Sequence, residues 1–224
     1  MRKIILSAVA VFAFGFTNAQ EATSNAQATT SSQDTKFGIK AALNIASLTG
    51  DVDNPSSLTG FQIGGFAEIK VSEKFAIQPE LMYSTQGGTE SVSYSEFISG
   101  IEVEVNGDAE YKLSYLNIPV MAKYYATPKF SFEFGPQIGF LLSAKNDWSA
   151  SATGGGVSFS ESGSEDIKDS TSSIDFGLNL GAGYDFTEHF GAGVRYNFGL
   201  TTVDDEGDYE IKNGVLSISL GYKF

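Results

Sequence analysis

Ten charged side chains interrupt an alternating apolar pattern, and their types and spacing give them the greatest potential for chemistry in this sequence. They are five cations and five carboxylates: Lys40, Glu68, Lys70, Glu80, Lys123, Glu133, Asp175, Asp185, Arg195 and Lys223. Charges enclosed by a fold must be paired or hydrated, because an isolated buried charge is costly. The set therefore predicts either a network of ion pairs or a narrow path lined by water.

Residues suited to catalysis or metal binding are few. The chain has no cysteine and one histidine, His189, in a short segment between two apolar runs. A catalytic site needs a nucleophile, a base and a residue that orients the base, and a zinc site needs several nitrogen or sulfur ligands. We predict a protein that is not an enzyme and has no catalytic residue, cofactor or resident metal, with His189 exposed to solvent.

One acidic segment, Asp204 to Glu210 (DDEGDYE), has carboxylates that could bind Ca²⁺ through oxygen. Its spacing departs from that of known calcium loops, which favours a solvated loop instead.

The overall charge and the first residues indicate where the protein resides. The chain has 14 basic and 27 acidic residues and a formal charge of −13, which argues against nucleic acid as a partner. Arg2 and Lys3 precede an apolar run and then Thr17–Asn18–Ala19, the pattern of a cleaved signal peptide over residues 1–19. Its removal would leave a charge of −15. Residues 20–35 have no large apolar side chain and predict a flexible polar leader.

An alternating pattern recurs through residues 36–224 and predicts an all-β domain. In LGAGYDFTEHFGAGVRYNFGL (180–200), for example, large apolar residues occupy every second position on both sides of Thr187–Glu188–His189. Joins at 72–74, 126–128 and 187–189 are tight, whereas those at 49–57, 88–108, 145–172 and 202–212 are long. The eight predicted strands are 36–48, 58–71, 75–87, 109–125, 129–144, 173–186, 190–201 and 213–224.

The two strand faces indicate which side meets lipid. The less apolar face is crowded with glycine and isolated charges rather than with long solvating side chains, which suits the interior of a narrow barrel. Alternating short and long connections are typical of an outer-membrane barrel with short periplasmic turns. We predict an eight-stranded antiparallel up-and-down transmembrane β-barrel with long extracellular loops and an apolar exterior. The alternative is a soluble lipocalin-like or sandwich protein with the aromatic rings in its core.

Some residues predict local features of this barrel. Aromatic residues near the tight turns predict a girdle at the membrane boundary; they are Phe75, Tyr124, Tyr125, Phe130, Tyr184, Phe186, Phe190, Tyr222 and Phe224. Pro79, Pro119 and Pro136 fall inside strands, where each removes a hydrogen-bond donor. A change of apolar phase near Tyr115–Leu116 predicts a β-bulge there.

Six segments in order resemble the outer-membrane barrel domain of the "porin family" or PorT-like proteins, a group related in architecture to OmpX and the OmpA transmembrane domain. They are QPELMYSTQG (78–87), YLNIPVMAKYY (115–125), FGPQIGFLL (134–142), DFGLNLGAGY (175–184), RYNFGL (195–200) and the closing LGYKF. The resemblance implies an eight-stranded barrel in the outer membrane of a Gram-negative bacterium. It also implies that Leu220, Tyr222 and Phe224 form the C-terminal signal read by the barrel-assembly machinery.

These observations predict a monomer in outer-membrane lipid, with a lumen filled by side chains and a non-enzymatic role at the surface or in the envelope. A narrow porin-like channel for small solutes and a component of a protein-secretion assembly are the alternatives. The long connections 88–108 and 145–172 carry apolar residues among polar ones and are the predicted recognition surfaces for an unidentified partner. Within the first, IEVEV (101–105) alternates, so a hairpin that extends beyond the membrane is an alternative to a loop there.

Overall fold

The computed structural model describes residues 35–52, 55–204 and 210–224. The predicted signal peptide and all but the last residue of the predicted leader lie outside these ranges. The strands are β1 (Thr35–Gly50), β2 (Pro55–Ser56), β3 (Leu58–Lys70), β4 (Phe75–Ile98), β5 (Ile101–Tyr125), β6 (Phe130–Gly154), β7 (Val157–Asp166), β8 (Ile174–Asp185), β9 (Phe190–Gly199) and β10 (Ile211–Lys223), with a short 3₁₀ helix at Lys168–Ser170. Within the described ranges, no helix has the length and apolar character needed to cross a membrane.

Eight of these strands close into an antiparallel barrel, as predicted. The order around the ring is β1, β3, β4, β5, β6, β8, β9 and β10, and β10 pairs with β1 from Gly38↔Lys223 to Gly50↔Ile211. The two remaining strands lie beside the ring, where β2 pairs with β4 and β7 pairs with β6. Because the barrel is closed, its eight strands have no free edge within the membrane, where no water could satisfy one.

The exterior of the barrel is apolar and the interior is polar, which confirms the predicted orientation. On β6, Phe132 and Phe134 are exposed on the outer surface, whereas the residues that alternate with them, Ser131 and Glu133, are buried. The same alternation runs along β8, where Phe176 is exposed and Asp175 is buried. The period of two along each strand therefore sorts apolar residues to lipid and polar residues to the lumen.

The three tight turns share one local structure that sequence analysis missed. Each begins with a hydroxyl residue, Ser72, Thr127 or Thr187, whose side-chain oxygen accepts hydrogen bonds from the backbone N–H groups two and three residues later. The third of these turns also contains His189, which is exposed but not isolated. Its Nδ1 lies 2.8 Å from the carbonyl oxygen of Lys223, and its ring stacks on Tyr222. The sequence repeat that could have predicted this shared turn structure is SEKF, TPKF and TEHF.

The aromatic girdle is present near these turns, with one exception. Phe75 packs on Tyr124 with ring centroids 5.1 Å apart, and Phe190 packs on Tyr222 at 4.9 Å. Tyr125, predicted to belong to the girdle, is instead buried in the lumen and donates a hydrogen bond to Glu68 at 2.8 Å. Successive residues of a strand point to opposite faces, so Tyr124 and Tyr125 cannot both face lipid.

The predicted β-bulge appears as a register shift between β5 and β6. The register of β5 against β6 changes between Ser114↔Ser143 and Tyr115↔Leu141, so the extra residue is Leu142 in β6 rather than a residue of β5. An irregularity is therefore present next to Tyr115, as predicted, but its extra residue lies in β6 and not in β5. Strand β5 keeps its alternation, and its apolar residues at this height point into the lumen.

Each proline within a strand borders an interruption of the ladder. Pairing of β4 with β5 stops after Pro79↔Val120 and resumes at Met82↔Asn117. Pairing of β5 with β6 likewise stops between Pro119↔Gln137 and Ala122↔Phe134, the stretch that contains Pro136. The missing N–H donors account for these gaps.

Two predicted long loops are largely strand. The hairpin of β4 and β5 remains paired to Ile98↔Ile101, which confirms the hairpin alternative for residues 88–108. Residues 145–172, predicted as a loop, instead extend β6 and form β7, paired from Lys145↔Asp166 to Gly154↔Val157. Both hairpins turn through residues with positive φ, Ser99–Gly100 and Gly155–Gly156, as two-residue hairpin turns require.

The absence of cysteine from the sequence allows a direct test of this orientation. Val157 lies at the tip of the β6–β7 hairpin and Lys74 lies in a tight turn. We expect Val157→Cys to react on intact cells with a maleimide carried on a large polymer, and Lys74→Cys to react only after the outer membrane is permeabilised. A cysteine in place of buried Leu113 should stay unreactive in both cases until the barrel is unfolded. Labelling of Lys74→Cys on intact cells would contradict the orientation.

Candidate functional site

Eight of the ten predicted charges form one network in the periplasmic half of the lumen. Lys40 Nζ lies 2.6 Å from Glu80, and Arg195 donates two hydrogen bonds of 2.9 and 3.0 Å to the same carboxylate. Arg195 Nη2 also lies 2.7 Å from Glu133. Charge-assisted, bidentate contacts of this kind are among the stronger hydrogen bonds in proteins.

The network continues from Glu133 toward the periplasm. Lys123 Nζ lies 3.5 Å from Glu133 and 2.9 Å from Glu68. Lys223 Nζ lies between two carboxylates, 3.0 Å from Glu68 and 2.9 Å from Asp185. The strands involved are far apart in the sequence, and only barrel closure brings them together. Four cations face four carboxylates, so the network is neutral as a whole.

The other two predicted residues lie elsewhere. Lys70 is exposed at the periplasmic mouth and forms no ion pair within the part of the chain that the structure describes. Asp175 is buried higher in the lumen, where the hydroxyl of Thr201 donates to it at 2.8 Å and the amide of Asn213 at 3.3 Å.

A layer of neutral amides and hydroxyls, which sequence analysis missed, lies above the network. Asn44 donates to Ser84 at 3.1 Å and accepts from Ser217 at 2.8 Å. Asn179 donates to Gln137 at 3.3 Å on the other side of the barrel. On each strand these residues have the same alternation as the charged residues. That alternation could have predicted from the sequence that they face the lumen.

An apolar cluster, here called the apolar cap, lies in the lumen toward its extracellular end. It consists of Leu113, Tyr115, Leu141 and Ala144, and Ile167 and Val203 from the connections above pack against it. Tyr115 is fully buried. The cluster explains why apolar residues change phase along the sequence here, since they line the lumen instead of facing lipid. From the periplasm outward, the lumen thus presents charges, amides and then an apolar cap.

The periplasmic end of the lumen opens into a cavity of about 710 Å³. Lys36, Lys70, Lys74 and Lys129 line it together with Glu68 and Lys223 of the network. Water can therefore approach the network from the periplasmic side, and the apolar cap lies between the network and the extracellular end of the lumen.

Beyond the membrane, residues 88–98 of β4, 101–112 of β5, 143–154 of β6 and the whole of β7 form one four-stranded sheet, here called the extracellular sheet. Its inner face continues the lumen face and carries most of the large apolar side chains together with Glu90, Glu96, Glu161 and Glu165, whereas its outer face is lined mainly with serine and carboxylate groups and carries Phe97. Among the inner-face residues that are exposed are Val92, Tyr94, Ile98, Ile101, Val157 and Phe159.

The extracellular sheet is strongly acidic, with ten carboxylates and two lysines, Lys112 and Lys145, within the ranges that define it. Lys112 Nζ lies 2.6 Å from Asp147 on the outer face. This hydrogen bond lowers the pKa of the Asp147 carboxyl and raises the pKa of Lys112. Other carboxylates, such as Glu96 and Glu102 near the hairpin tip, are exposed.

Groups suited to a metal centre are sparse. Among residues 35–52, 55–204 and 210–224, no three His, Asp or Glu side chains come together as a metal site would require. Most of the acidic segment 204–210 falls outside these ranges, so calcium binding there stays a hypothesis.

The C-terminal residues occupy the seam between the last and first strands. The N–H of Phe224 donates to the carbonyl oxygen of Phe37 at 2.9 Å. Leu220 and Phe224 are exposed on the outer surface, with Tyr222 packed on Phe224 between them. Their role as an assembly signal stays a prediction.

Comparisons with known proteins agree with this architecture. The sequence profile of a family described as "Outer membrane protein beta-barrel domain" matches residues 18–205. A search of curated protein sequences finds no match.

Solved structures that resemble the fold include three bacterial outer-membrane proteins. They are Ail of Yersinia pestis in complex with the heparin analogue sucrose octasulfate (12% identity, 85% of this chain and 99% of that chain, TM-score 0.43), Neisserial surface protein A (14%, 86% and 100%, 0.48) and the N-terminal β-barrel domain of Pseudomonas aeruginosa OprF (11%, 85% and 100%, 0.34).

Proposed function

Because the chain belongs to the outer membrane protein β-barrel domain family, we propose that it is a non-enzymatic surface protein with a closed lumen and that its extracellular sheet docks a partner. The observation that carries this proposal is the group of exposed apolar side chains on the inner face of the extracellular sheet, where Phe159 is 67% and Tyr94 is 52% exposed. A contiguous apolar surface in water is typical of an interaction site.

The charge of the extracellular sheet indicates the chemistry of its partner. Exposed apolar side chains on a sheet with ten carboxylates, four of them on the inner face, are complementary to a basic polypeptide with alternating apolar residues. The backbone can contribute as well, since β7 pairs only with β6 among the residues described. A partner strand could add to this edge with its apolar side chains on the inner face.

Docking is testable with a synthetic peptide of alternating lysine and valine and the barrel reconstituted in vesicles. We expect binding that weakens as the Debye length falls from about 30 Å to about 3 Å with added salt. The double substitution Tyr94→Ser with Phe159→Ser should weaken binding at least about tenfold, equivalent to about 1.4 kcal/mol. Ser93→Ala with Ser160→Ala, on the outer face of the same strands, is the matched control. Equal binding by both variants would refute the inner face as the docking surface.

The closed lumen predicts the behaviour of the protein in planar bilayers. Charges, amides and the apolar cap occupy the lumen in successive layers, and the interior of an eight-stranded barrel has little further room. We expect no steady conductance when the purified protein is inserted into a bilayer, and no liposome swelling with small solutes. Stable openings of nanosiemens size would contradict the proposal and favour a channel.

The periplasmic cavity favours one second candidate, a gated narrow channel. The cavity, of about 710 Å³, already admits water to the network from the periplasmic side. Opening of a channel would therefore require that Ile167 and Val203 move away from the apolar cap. Replacement of both residues by serine should then produce brief openings that the wild-type protein lacks. A silent variant would argue against gating at the cap.

The remaining alternative, a component of a protein-secretion assembly, rests on the family resemblance alone and stays a hypothesis. Co-purification from gently solubilised outer membranes would test it, and the same preparation would show whether the barrel is the predicted monomer.

A further inference from the structure

An excess of positive charge surrounds the periplasmic mouth of the lumen. The cavity there is lined by four lysines that form no ion pair within the part of the chain that the structure describes: Lys36, Lys70, Lys74 and Lys129. Glu68, Asp185 and Lys223 also line it, but they belong to the neutral network. The other carboxylates of the lining are Glu73 and Glu188, so the four lysines leave an excess of two positive charges. The chain as a whole has a formal charge of −13.

The tight turns fix the positions of two of these lysines. The carbonyl oxygen of Lys74 accepts a hydrogen bond from the N–H of Tyr125 at 2.8 Å, and that of Lys129 accepts one from the N–H of Asp185 at 2.7 Å. Each turn is thereby joined to the end of the next strand in the ring. Phe75, which follows Lys74, is exposed on the outer surface. The alternation along the strand therefore places Lys74 on the side of the lumen.

Lys36 and Lys70 reach the same mouth from the neighbouring strands β1 and β3. Lys36 is the register partner of Glu68, and Lys70 follows Glu68 by two residues. Residues that are directly paired, or two apart on one strand, lie on the same face of a sheet. Both lysines therefore share the lumen face with buried Glu68, and cations surround the mouth on two strands and two turns.

Two threonine hydroxyls add hydrogen-bond donors to the cavity. The Oγ1 atoms of Thr127 and Thr187 each accept hydrogen bonds from two backbone N–H groups of their own turn. A hydroxyl has two acceptor sites and one proton to donate, so the capacity that remains in each is its O–H. Both threonines line the cavity, and neither hydroxyl donates to an acceptor among the described residues.

We propose that the periplasmic mouth binds a multivalent phosphate carried by a soluble molecule of the periplasm. Lysine ammonium groups bind phosphate as point charges, and a cleft with an excess of one charge concentrates ligands of the opposite charge. The cavity of about 710 Å³ has the size of a ligand site, about 300–1,000 Å³. Several phosphate groups are needed because the lysines stand on separate strands and turns around the mouth.

The direction of the lysines favours a soluble molecule over a lipid headgroup. Lys36, Lys70 and Lys74 lie on the lumen face, whereas the residues that follow them, Phe37, Val71 and Phe75, are exposed on the outer surface. An occupant of the cavity therefore lies near the barrel axis, inside the ring of lipid.

Isothermal titration calorimetry of tripolyphosphate into the purified barrel in a non-ionic detergent tests the proposal. We expect saturable binding that weakens as added salt reduces the Debye length from about 30 Å to about 10 Å. Lys74→Gln with Lys129→Gln should lower the affinity at least about tenfold. Lys112→Gln with Lys145→Gln removes the same charge from the outer face of the extracellular sheet. This matched control should bind as the wild type does.

A second pair of substitutions keeps the proposal falsifiable if the lysine variant does not fold. Glu73→Gln with Glu188→Gln removes the carboxylates that repel phosphate, so the affinity should rise at least about threefold. A purely structural role of the mouth would not produce this gain. The absence of saturable binding at low salt, or an equal loss in the Lys112→Gln with Lys145→Gln control, would overturn the proposal. Displacement of tripolyphosphate by phosphatidylglycerol added to the micelles would overturn the assignment to a soluble molecule.

Discussion

Replacing Arg195 with methionine should lower the free energy of unfolding by about 3–5 kcal/mol, the cost of leaving buried carboxylates without their cation. Arg195 makes three hydrogen bonds of 2.7 to 3.0 Å to Glu80 and Glu133. Without it, Glu80 keeps only Lys40 as a cationic partner and Glu133 keeps only Lys123 at 3.5 Å. Urea unfolding of the barrel in lipid vesicles measures the loss, and the heat-dependent shift in gel mobility reports whether the barrel still closes.

A second substitution separates charge balance from the loss of a large side chain. In Arg195→Met with Glu133→Gln, every remaining charge of the network keeps a partner: Lys40 pairs with Glu80, Lys123 with Glu68 and Lys223 with Asp185. We expect the double variant to recover more than half of the lost stability. Lys112→Met, which removes a cation from an exposed pair, should leave the free energy nearly unchanged. No recovery in the double variant would mean that packing, rather than charge balance, dominates.

Truncating Tyr115 to alanine should lower the free energy of unfolding by about 3–5 kcal/mol, as for other buried aromatic residues. The ring is 0% exposed and forms the centre of the apolar cap with Leu113 and Leu141. Its loss leaves a cavity at the point where the lumen is closed, so single-channel recordings of this variant should also show brief openings. Chemical denaturation in vesicles and planar-bilayer recording provide the two measurements.

Tyr115→Phe is the matched control for the cap. It keeps the ring and removes only the hydroxyl, so the expected cost is about 1 kcal/mol, the net value of an ordinary hydrogen bond. Recordings of this variant should stay as silent as those of the wild type. If Tyr115→Ala proved as stable and as silent as Tyr115→Phe, the apolar cluster would not be what closes the lumen.

Several features of the site were predictable because they depend on neighbouring residues of one strand. The period of two places Glu133 inward between Phe132 and Phe134, and it does the same for Asp175 and Asp185. The same rule, applied to Tyr124 and Tyr125, would have excluded Tyr125 from the girdle. Such predictions need only the geometry of a single extended chain.

Other features depend on water and on strand partners. Residues 88–108 and 145–172 are rich in serine, glycine and carboxylates, which predicts loops by composition, yet most of them continue strands β4 to β7. Outside the membrane the outer face of a strand can be polar, so the apolar alternation that identifies a lipid-facing strand disappears while its hydrogen bonds persist. The bulge at Leu142 was likewise hidden, because a register shift belongs to two strands and not to one.

The sequence by itself determined the eight strands, the side of each strand that faces lipid, the tight periplasmic turns and the set of charges inside, because all of these follow from local periodicity. Only the tertiary structure decided that Arg195 meets Glu80, 115 residues away, that Lys70 stays outside the network, that apolar residues cap the lumen and that Asp175 is bound by Thr201 and Asn213. Those outcomes depend on the stagger with which eight strands close into a ring. That stagger sets which side chains share a height across the lumen, and no single strand encodes it.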